Sequence, residues 1–160
     1  MSTAVNMIVA CDSRCGIGIN NKLPWPHSDV DMKWFRENTA NSIIVMGRKT
    51  WESIGSSCLP KRINVVISTQ EFDGPDAILS GSVPDILDEV KNKYPSKDIW
   101  IIGGSRIYEQ AHKFCDNVYL TQFEESYQCD SFIDLKEILR GRYESYSKIV
   151  DNIKFSVWSK

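Results

Sequence analysis

Asp98-Ile99-Trp100-Ile101-Ile102-Gly103-Gly104-Ser105-Arg106-Ile107-Tyr108 decides the fold. Its first half is a continuous apolar run rich in β-branched residues, the pattern of a strand buried on both faces. After two glycines the pattern turns helical and is predicted to stay so to about Cys115. A strand covered on both faces that passes straight into a helix is half of a parallel βαβ unit.

Working outward, the same signature recurs. Met7-Ile8-Val9-Ala10-Cys11, Ser42-Ile43-Ile44-Val45-Met46 and Asn64-Val65-Val66-Ile67-Ser68 are short apolar runs of the same kind, and Ala77-Ile78-Leu79-Ser80 is a shorter one. The second run ends in Gly47 and gives way to a short helix over 48–54, stopped at Gly55. Ser82-Val83-Pro84-Asp85 carries a cap and an early proline, which open a helix running to about Lys93. Toward the C-terminus, Val118-Tyr119-Leu120-Thr121 predicts a strand, and the alternation from Tyr143 to Trp158 around Asp151-Asn152 predicts a hairpin. The expected fold is α/β: one domain over 1–160, with a mixed, mostly parallel sheet of about eight strands flanked by about four helices, ending in an antiparallel C-terminal hairpin. Residues 12–27 are rich in Gly, Asn and Pro and show no periodicity, which predicts a functional lid.

Bulk properties narrow the class. A chain of 160 residues, 42% hydrophobic and 25% charged, suits a single soluble domain with a full core. A net charge of −2 and a pI of about 5.7 argue against a nucleic-acid partner. No apolar stretch approaches the roughly 18 residues of a membrane span. The start, Met1 to Ala10, lacks a basic leader and reads as entry into a strand. Cys11, Cys15, Cys58, Cys115 and Cys129 are odd in number and form no C-x-x-C pair, and His27 and His112 are the two histidines. These counts predict reduced thiols, a cytoplasmic location and no metal site. Nothing in the pattern supplies an extra amphipathic face, so a monomer is expected.

In such sheets ligands bind at the carboxyl ends of strands. Gly47-Arg48-Lys49-Thr50 puts two cations and a hydroxyl at a helix start, read either as a solvated basic pair or as equipment for an anion. Gly103-Gly104-Ser105 lets backbone approach a pyrophosphate, although it is no G-x-G-x-x-G fingerprint. No acid ends a second strand to hold a ribose hydroxyl, whereas Arg48, Lys49, Ser68, Thr69 and Arg106 offer cations and hydroxyls. That set favours a phosphorylated ribose, hence NADP over NAD. Asp31 shares a helical face with Trp34 and Phe35. It is either the third residue of a Ser28-capped turn or an acid awaiting a ligand that donates hydrogen bonds.

Six segments occur in order: Gly16-Ile17-Gly18 through Leu23-Pro24-Trp25; Asp31 with Trp34-Phe35; Met46 to Gly55; Leu59-Pro60-Lys61-Arg62-Ile63-Asn64; Ile102 to Tyr108; and Leu120-Thr121. Together they resemble the dihydrofolate reductase family over nearly the whole chain. The resemblance implies NADPH-dependent reduction of 7,8-dihydrofolate to tetrahydrofolate, with antifolates as inhibitors. It implies that Asp31 accepts hydrogen bonds from pterin N3 and the 2-amino group, that Thr121 bonds to Asp31, and that Trp25 helps hold a water. Hydride would pass to pterin C6, with water rather than Asp31 protonating N5. Ile8, Val9, Met32, Phe35, Ile54, Leu59 and Ile102 would wall the pterin and benzoyl rings, and Arg62 would clamp the glutamate α-carboxylate. On the cofactor side, Ala10, Ile17 and Gly18 match nicotinamide contacts, with Tyr108 nearby. Thr50, Gly103, Gly104, Ser105, Arg106 and Ile107 match the pyrophosphate and its backbone, and Arg48, Lys49, Ser68 and Thr69 the 2′-phosphate corner. The chain departs from the pattern where Phe132 is not followed by proline, where Cys15 enters the lid, and near Ser56–Cys58, which carries one extra residue. Asp130 is expected to tether the lid. The related reductase of riboflavin synthesis shares this fold, but its usual zinc-deaminase signatures are missing here.

Overall fold

A computed structural model describes residues 3–160, so Met1 and Ser2 of the expected strand entry lie outside the described residues. The first apolar run forms β1 (Val5–Cys11), followed by a short β2 (Gly16–Gly18). The Asp31 segment forms α1 (Asp29–Thr39), and the second run forms β3 (Ile43–Gly47), which passes directly into α2 (Arg48–Ser53). Then come β4 (Ile63–Ile67), β5 (Ala77–Leu79) and α3 (Val83–Lys93), with Ser82 capping and proline in the first turn as predicted. The deciding segment forms β6 (Ile99–Gly103) and α4 (Ser105–Ala111). The chain ends with β7 (Asn117–Phe123), β8 (Ser131–Phe132), α5 (Leu135–Ile138), β9 (Tyr143–Val150) and β10 (Ile153–Ser159).

Eight strands form one sheet in the order β5-β4-β3-β6-β1-β7-β10-β9. Pairs from β5 to β7 are parallel, and β10 is antiparallel to both β7 and β9. The hairpin turns on Asp151 (φ 52°) and Asn152 (φ 62°), left-handed conformations that these two residue types tolerate and that match strand twist. The core fills both faces: Met7, Val9, Ile99, Ile101 and Leu120 pack with α3 and α4 on one side. Ile8, Ile44, Met46, Val66 and Trp100 pack with Trp51 on the other.

Three details differ from expectation. The helix after Gly104 ends at Ala111 and tightens into a 3-10 turn over His112–Phe114, short of Cys115. A fifth helix, the single turn α5 capped by Asp134, carries too few residues to show periodicity. The aperiodic segment 12–27 contains β2, which pairs with β8 as a separate two-stranded ribbon. No helix among the described residues is long and apolar enough to cross a membrane.

The architecture opens a crevice at the centre of the sheet. β1 and β6 stay in register over Val5–Ile99, Asn6–Trp100 and Met7–Ile101, and beyond that they part. The Tyr108 hydroxyl enters the gap, 2.8 Å from the carbonyl oxygens of both Ile8 and Ile102. Burial, with Asp31 adding to it, pushes this phenol far above its ordinary range, so it remains a protonated donor.

Candidate active site

A cavity of about 980 Å³ lies at the carboxyl ends of the parallel strands, where the crevice begins. β1 contributes Ile8, Val9 and Ala10; β6 and the turn after it contribute Ile102, Gly103, Gly104 and Ser105. α1 adds Asp31, Met32, Trp34 and Phe35, while Lys33 faces away and pairs with Glu37 at 3.8 Å. Ile54, Leu59, Thr50, Lys49, Tyr108 and Thr121 also line it, Ile17 and Gly18 reach it from β2, and the segment after β2, α2 and the start of β8 close the rest.

Asp31 is the third residue of a capped turn and also lines the cavity. Ser28 is the N-cap, and its hydroxyl accepts the Asp31 N–H at 3.2 Å. The Asp31 side chain faces the cavity with 8% of the residue exposed. Burial raises its pKa above the usual carboxylate value, and the hydrogen bond from Thr121 opposes the rise. A carboxylate accepts at about four lone-pair sites. One hydroxyl therefore leaves most of this acceptor directed at whatever fills the cavity.

The helix starts divide by how they are capped. α1, α3 and α5 are capped by side chains of Ser28, Ser82 and Asp134. α2 and α4 follow Gly47 and Gly104, with no side-chain cap. The first backbone N–H groups of these two helices thus have no side-chain acceptor. The backbone at Gly103 suits glycine, and a side chain there would also be crowded. Its φ is +128°, and a Cβ would stand 3.3 Å from the Tyr108 hydroxyl and 3.4 Å from Thr50 Oγ1. The backbone beside Thr50 is left bare of side chains. Gly47 plays a packing part, since a Cβ there would press on Ile107 at 3.1 Å. Ile107 is buried behind the wall rather than in it.

The basic corner is partly self-assembled. Arg48 lies 3.6 Å from Glu52, hydrogen-bonds Gln70 and stacks 5.6 Å over Phe72. Ser68 Oγ accepts the Gln70 N–H at 3.0 Å, which draws the loop after β4 toward Arg48. Thr69 and Arg106 are exposed and, like Arg48 and Ser68, stand outside the cavity lining. Lys49 lines the cavity, and its carbonyl accepts the Asn21 amide at 3.0 Å, joining segment 12–27 to α2.

Arg62 stands beyond the apolar end. Its Nε donates to Thr39 Oγ1 at 2.8 Å, and its two terminal nitrogens donate to the carbonyls of Pro60 (2.7 Å) and Arg36 (3.0 Å). Three of five N–H groups are used, so the fork is aimed and two donors remain. Its guanidinium lies 5.9 Å over the Phe35 ring. Burial and the nearby Arg36 lower its pKa, and two adjacent guanidiniums favour an anionic occupant.

Trp25 is buried outside the cavity lining, stacked on Phe123 at 4.3 Å, and its indole N–H has no protein acceptor. Asp130 does tether the ribbon: its carboxylate accepts the Asn20 N–H at 3.0 Å, and its N–H donates to Gly18 at 2.8 Å. Asn21, Arg36 and Asp12 escaped the sequence reading. Asp12 and Asn21 fall in the aperiodic segment, and Arg36 falls on the polar face of α1. Among the described residues no group of His, Cys, Asp or Glu side chains could hold a metal ion.

Comparison with known proteins gives one answer. The family model described as dihydrofolate reductase matches residues 4–152. A protein named dihydrofolate reductase from Buchnera aphidicola subsp. Schizaphis graminum is 41% identical over 120 residues, covering 75% of this chain and 72% of its own. One of the same name from Haemophilus influenzae is 38% identical over 127 residues, covering 79% and 76%. A third, from Buchnera aphidicola subsp. Baizongia pistaciae, is 32% identical over 150 residues, covering 94% and 89%.

Proposed function

We propose, from the premise that this chain belongs to the dihydrofolate reductase family, that its nicotinamide cofactor is NADPH and that Asp31 is the group that holds and polarises the pterin. The reaction follows from the family: dihydrofolate is reduced to tetrahydrofolate. The observation that carries the site assignment is Asp31 itself, a buried carboxylate facing a large cavity with one hydroxyl for a partner.

Pterin N3 and the 2-amino group are adjacent donors, and a carboxylate accepts such a pair through both oxygens. This bond strengthens as N5 gains its proton and positive charge develops on the ring, so Asp31 favours the cation that then accepts the hydride at C6. Asp31 would stand on the far side of the ring from N5, so water supplies that proton. The unpartnered indole N–H of Trp25 suits a residue that holds such a water. Thr121 keeps the carboxylate oriented. Ile8, Val9, Met32, Phe35, Ile54, Leu59 and Ile102 would clasp the flat rings, and the two remaining donors of Arg62 would take the substrate's α-carboxylate.

NADPH, when bound, supplies the hydride. The uncapped starts of α2 and α4 and the bare Gly103–Gly104 surface beside Thr50 fit its pyrophosphate. Arg48, Lys49, Ser68 and Thr69 would hold the 2′-phosphate, with Arg106 flanking the pyrophosphate. Ala10, Ile17, Gly18 and Tyr108 would border the nicotinamide, and the segment 12–27 would exclude water as a lid. A monomeric protein in the cytoplasm is part of the same proposal; the five unpaired thiols support a reducing compartment.

The test follows NADPH oxidation by absorbance with and without dihydrofolate, and repeats it with NADH. Turnover that requires dihydrofolate and prefers NADPH supports the reading. Equal use of NADH would remove the 2′-phosphate assignment.

A further inference from the structure

Asp12 is buried at the end of β1, with 3% of the residue exposed, and it does not line the cavity. Its carboxylate is nonetheless the most heavily bonded acid in the fold's loop region. Oδ1 accepts the N–H groups of Arg14 at 2.9 Å and Gly16 at 2.8 Å. Oδ2 accepts the N–H of Tyr127 at 2.8 Å and lies 3.6 Å from the Cys129 thiol. One oxygen thus holds the beginning of β2, and the other holds the loop that leads into β8.

Around this acid the packing is tight. A Cβ on Gly16 would meet Cys129 Sγ at 2.3 Å and Asp12 Oδ1 at 3.1 Å. Backbone bonds reinforce the joint, with Asp12 N–H on the Gly16 carbonyl at 2.9 Å and Ser13 N–H on the Glu125 carbonyl at 3.1 Å. Three backbone N–H bonds keep Asp12 below the usual carboxylate range, although burial works to raise it. Burial and the nearby acid keep Cys129 protonated, so the thiol remains a donor. Immediately past this joint, Ile17 and Gly18 form part of the cavity wall.

We propose that Asp12 is a positioning residue that sets the wall formed by Ile17 and Gly18, by binding the two strands of the β2–β8 ribbon through opposite oxygens of one carboxylate. The inference rests on the reading that Ile17 and Gly18 border the nicotinamide. It also explains why the residue is an acid. Every group that points at it is a donor, and a carboxylate is an acceptor at both oxygens. Asparagine offers one oxygen and one NH₂. Whichever way its amide is flipped, a donor faces either Gly16 N–H or Tyr127 N–H. Asp12→Asn therefore breaks one side of the joint despite its matching shape, and leaves a buried N–H unpaired.

Asp12 touches neither α1 nor the loop before β4, which carry Asp31, Phe35, Leu59 and Arg62. Its loss should therefore separate the two ligands. Asp12→Asn is expected to raise the Kd for NADPH by about tenfold, the scale of one charge-assisted hydrogen bond. The KM for dihydrofolate should change less than about twofold, since that half of the wall does not depend on the joint. Hydrogen exchange of the ligand-free variant should show protection lost at Gly16 and Tyr127 and kept in β1 and β6.

The experiment compares wild type, Asp12→Asn and Ile17→Ala in NADPH titration, dihydrofolate kinetics and hydrogen exchange. Weaker NADPH binding in both variants, with exchange confined to the ribbon in Asp12→Asn, supports the proposal. Weaker binding in Ile17→Ala alone, with Gly16 and Tyr127 unprotected in Asp12→Asn, overturns the role of Asp12 and leaves the nicotinamide reading intact. No weakening in either variant overturns the placement of the nicotinamide and the proposal with it. Equal weakening of both ligands, with exchange rising across β1 and β6, overturns it in favour of a general structural role.

Discussion

Asp31→Asn should make the protein more stable and nearly inactive. In the native fold the carboxylate is 8% exposed, bonds one hydroxyl and has no ion pair among the described residues. Its pKa is raised above 3.8, so in the window between that value and the native one the folded state binds more protons than the unfolded chain. Stability therefore falls as pH rises through the window, and the whole penalty is present above the native pKa. An under-bonded buried polar group costs about 1–3 kcal/mol. Asparagine removes the charge but also the favourable interaction of an acid with the start of α1, about 0.3–1 kcal/mol. The net gain is about 1 kcal/mol, or about 2–4 °C in Tm for a chain of this length. In the ternary complex the sign reverses. Two charge-assisted bonds of about 1.5–3 kcal/mol each give way to one neutral bond of about 1 kcal/mol. The loss of about 2–5 kcal/mol lowers kcat/KM for dihydrofolate by roughly 30- to 5,000-fold, with NADPH affinity kept. Scanning calorimetry across pH and initial-rate NADPH oxidation read both effects. A lower Tm with kcat/KM within about twofold of wild type would refute the reasoning.

Gly103→Ala places a Cβ at φ +128° against the Tyr108 hydroxyl and Thr50; we expect a loss of about 1–3 kcal/mol in urea unfolding and weaker NADPH binding. Tyr108→Phe strips the donor shared by the carbonyls of Ile8 and Ile102, and the same unfolding assay should show about 1–3 kcal/mol lost, whereas a neutral result would mean the gap closes by itself. Arg62→Lys cannot reproduce a fork held by Thr39, Pro60 and Arg36; the KM for dihydrofolate should rise about tenfold with kcat little changed, and an unmoved KM would remove Arg62 from the substrate site.

Most of the sheet is legible in the sequence because its strands are buried on both faces and read as unbroken apolar runs. β2 and β8 are not, because three and two residues carry no period. Their pairing depends on Asp12 and Asp130, whose partners lie more than a hundred positions away. At the site, Asp31 stands out from sequence because an acid beside Trp34 and Phe35 is a local conflict visible within one helical turn. The setting of Arg62 does not stand out, since its acceptors come from α1 and from a loop carbonyl, and carbonyls leave no mark in a sequence. The same holds for Tyr108, whose position in the gap depends on where β1 and β6 separate.

The strand order has a consequence for how the protein is made. β1 leaves the ribosome before the other seven strands of the sheet, and it is buried on both faces of the finished sheet. Its two neighbours, β6 and β7, begin at Ile99 and Asn117. At about 5–20 residues per second, the nascent chain carries an unpaired apolar strand for roughly 5–20 s before either neighbour exists. The strands made in between, β3, β4 and β5, form a parallel set with one another but leave β1 outside until β6 inserts between β3 and β1. Biosynthesis of this enzyme is therefore a race between late closure of the sheet and self-association of its first strand.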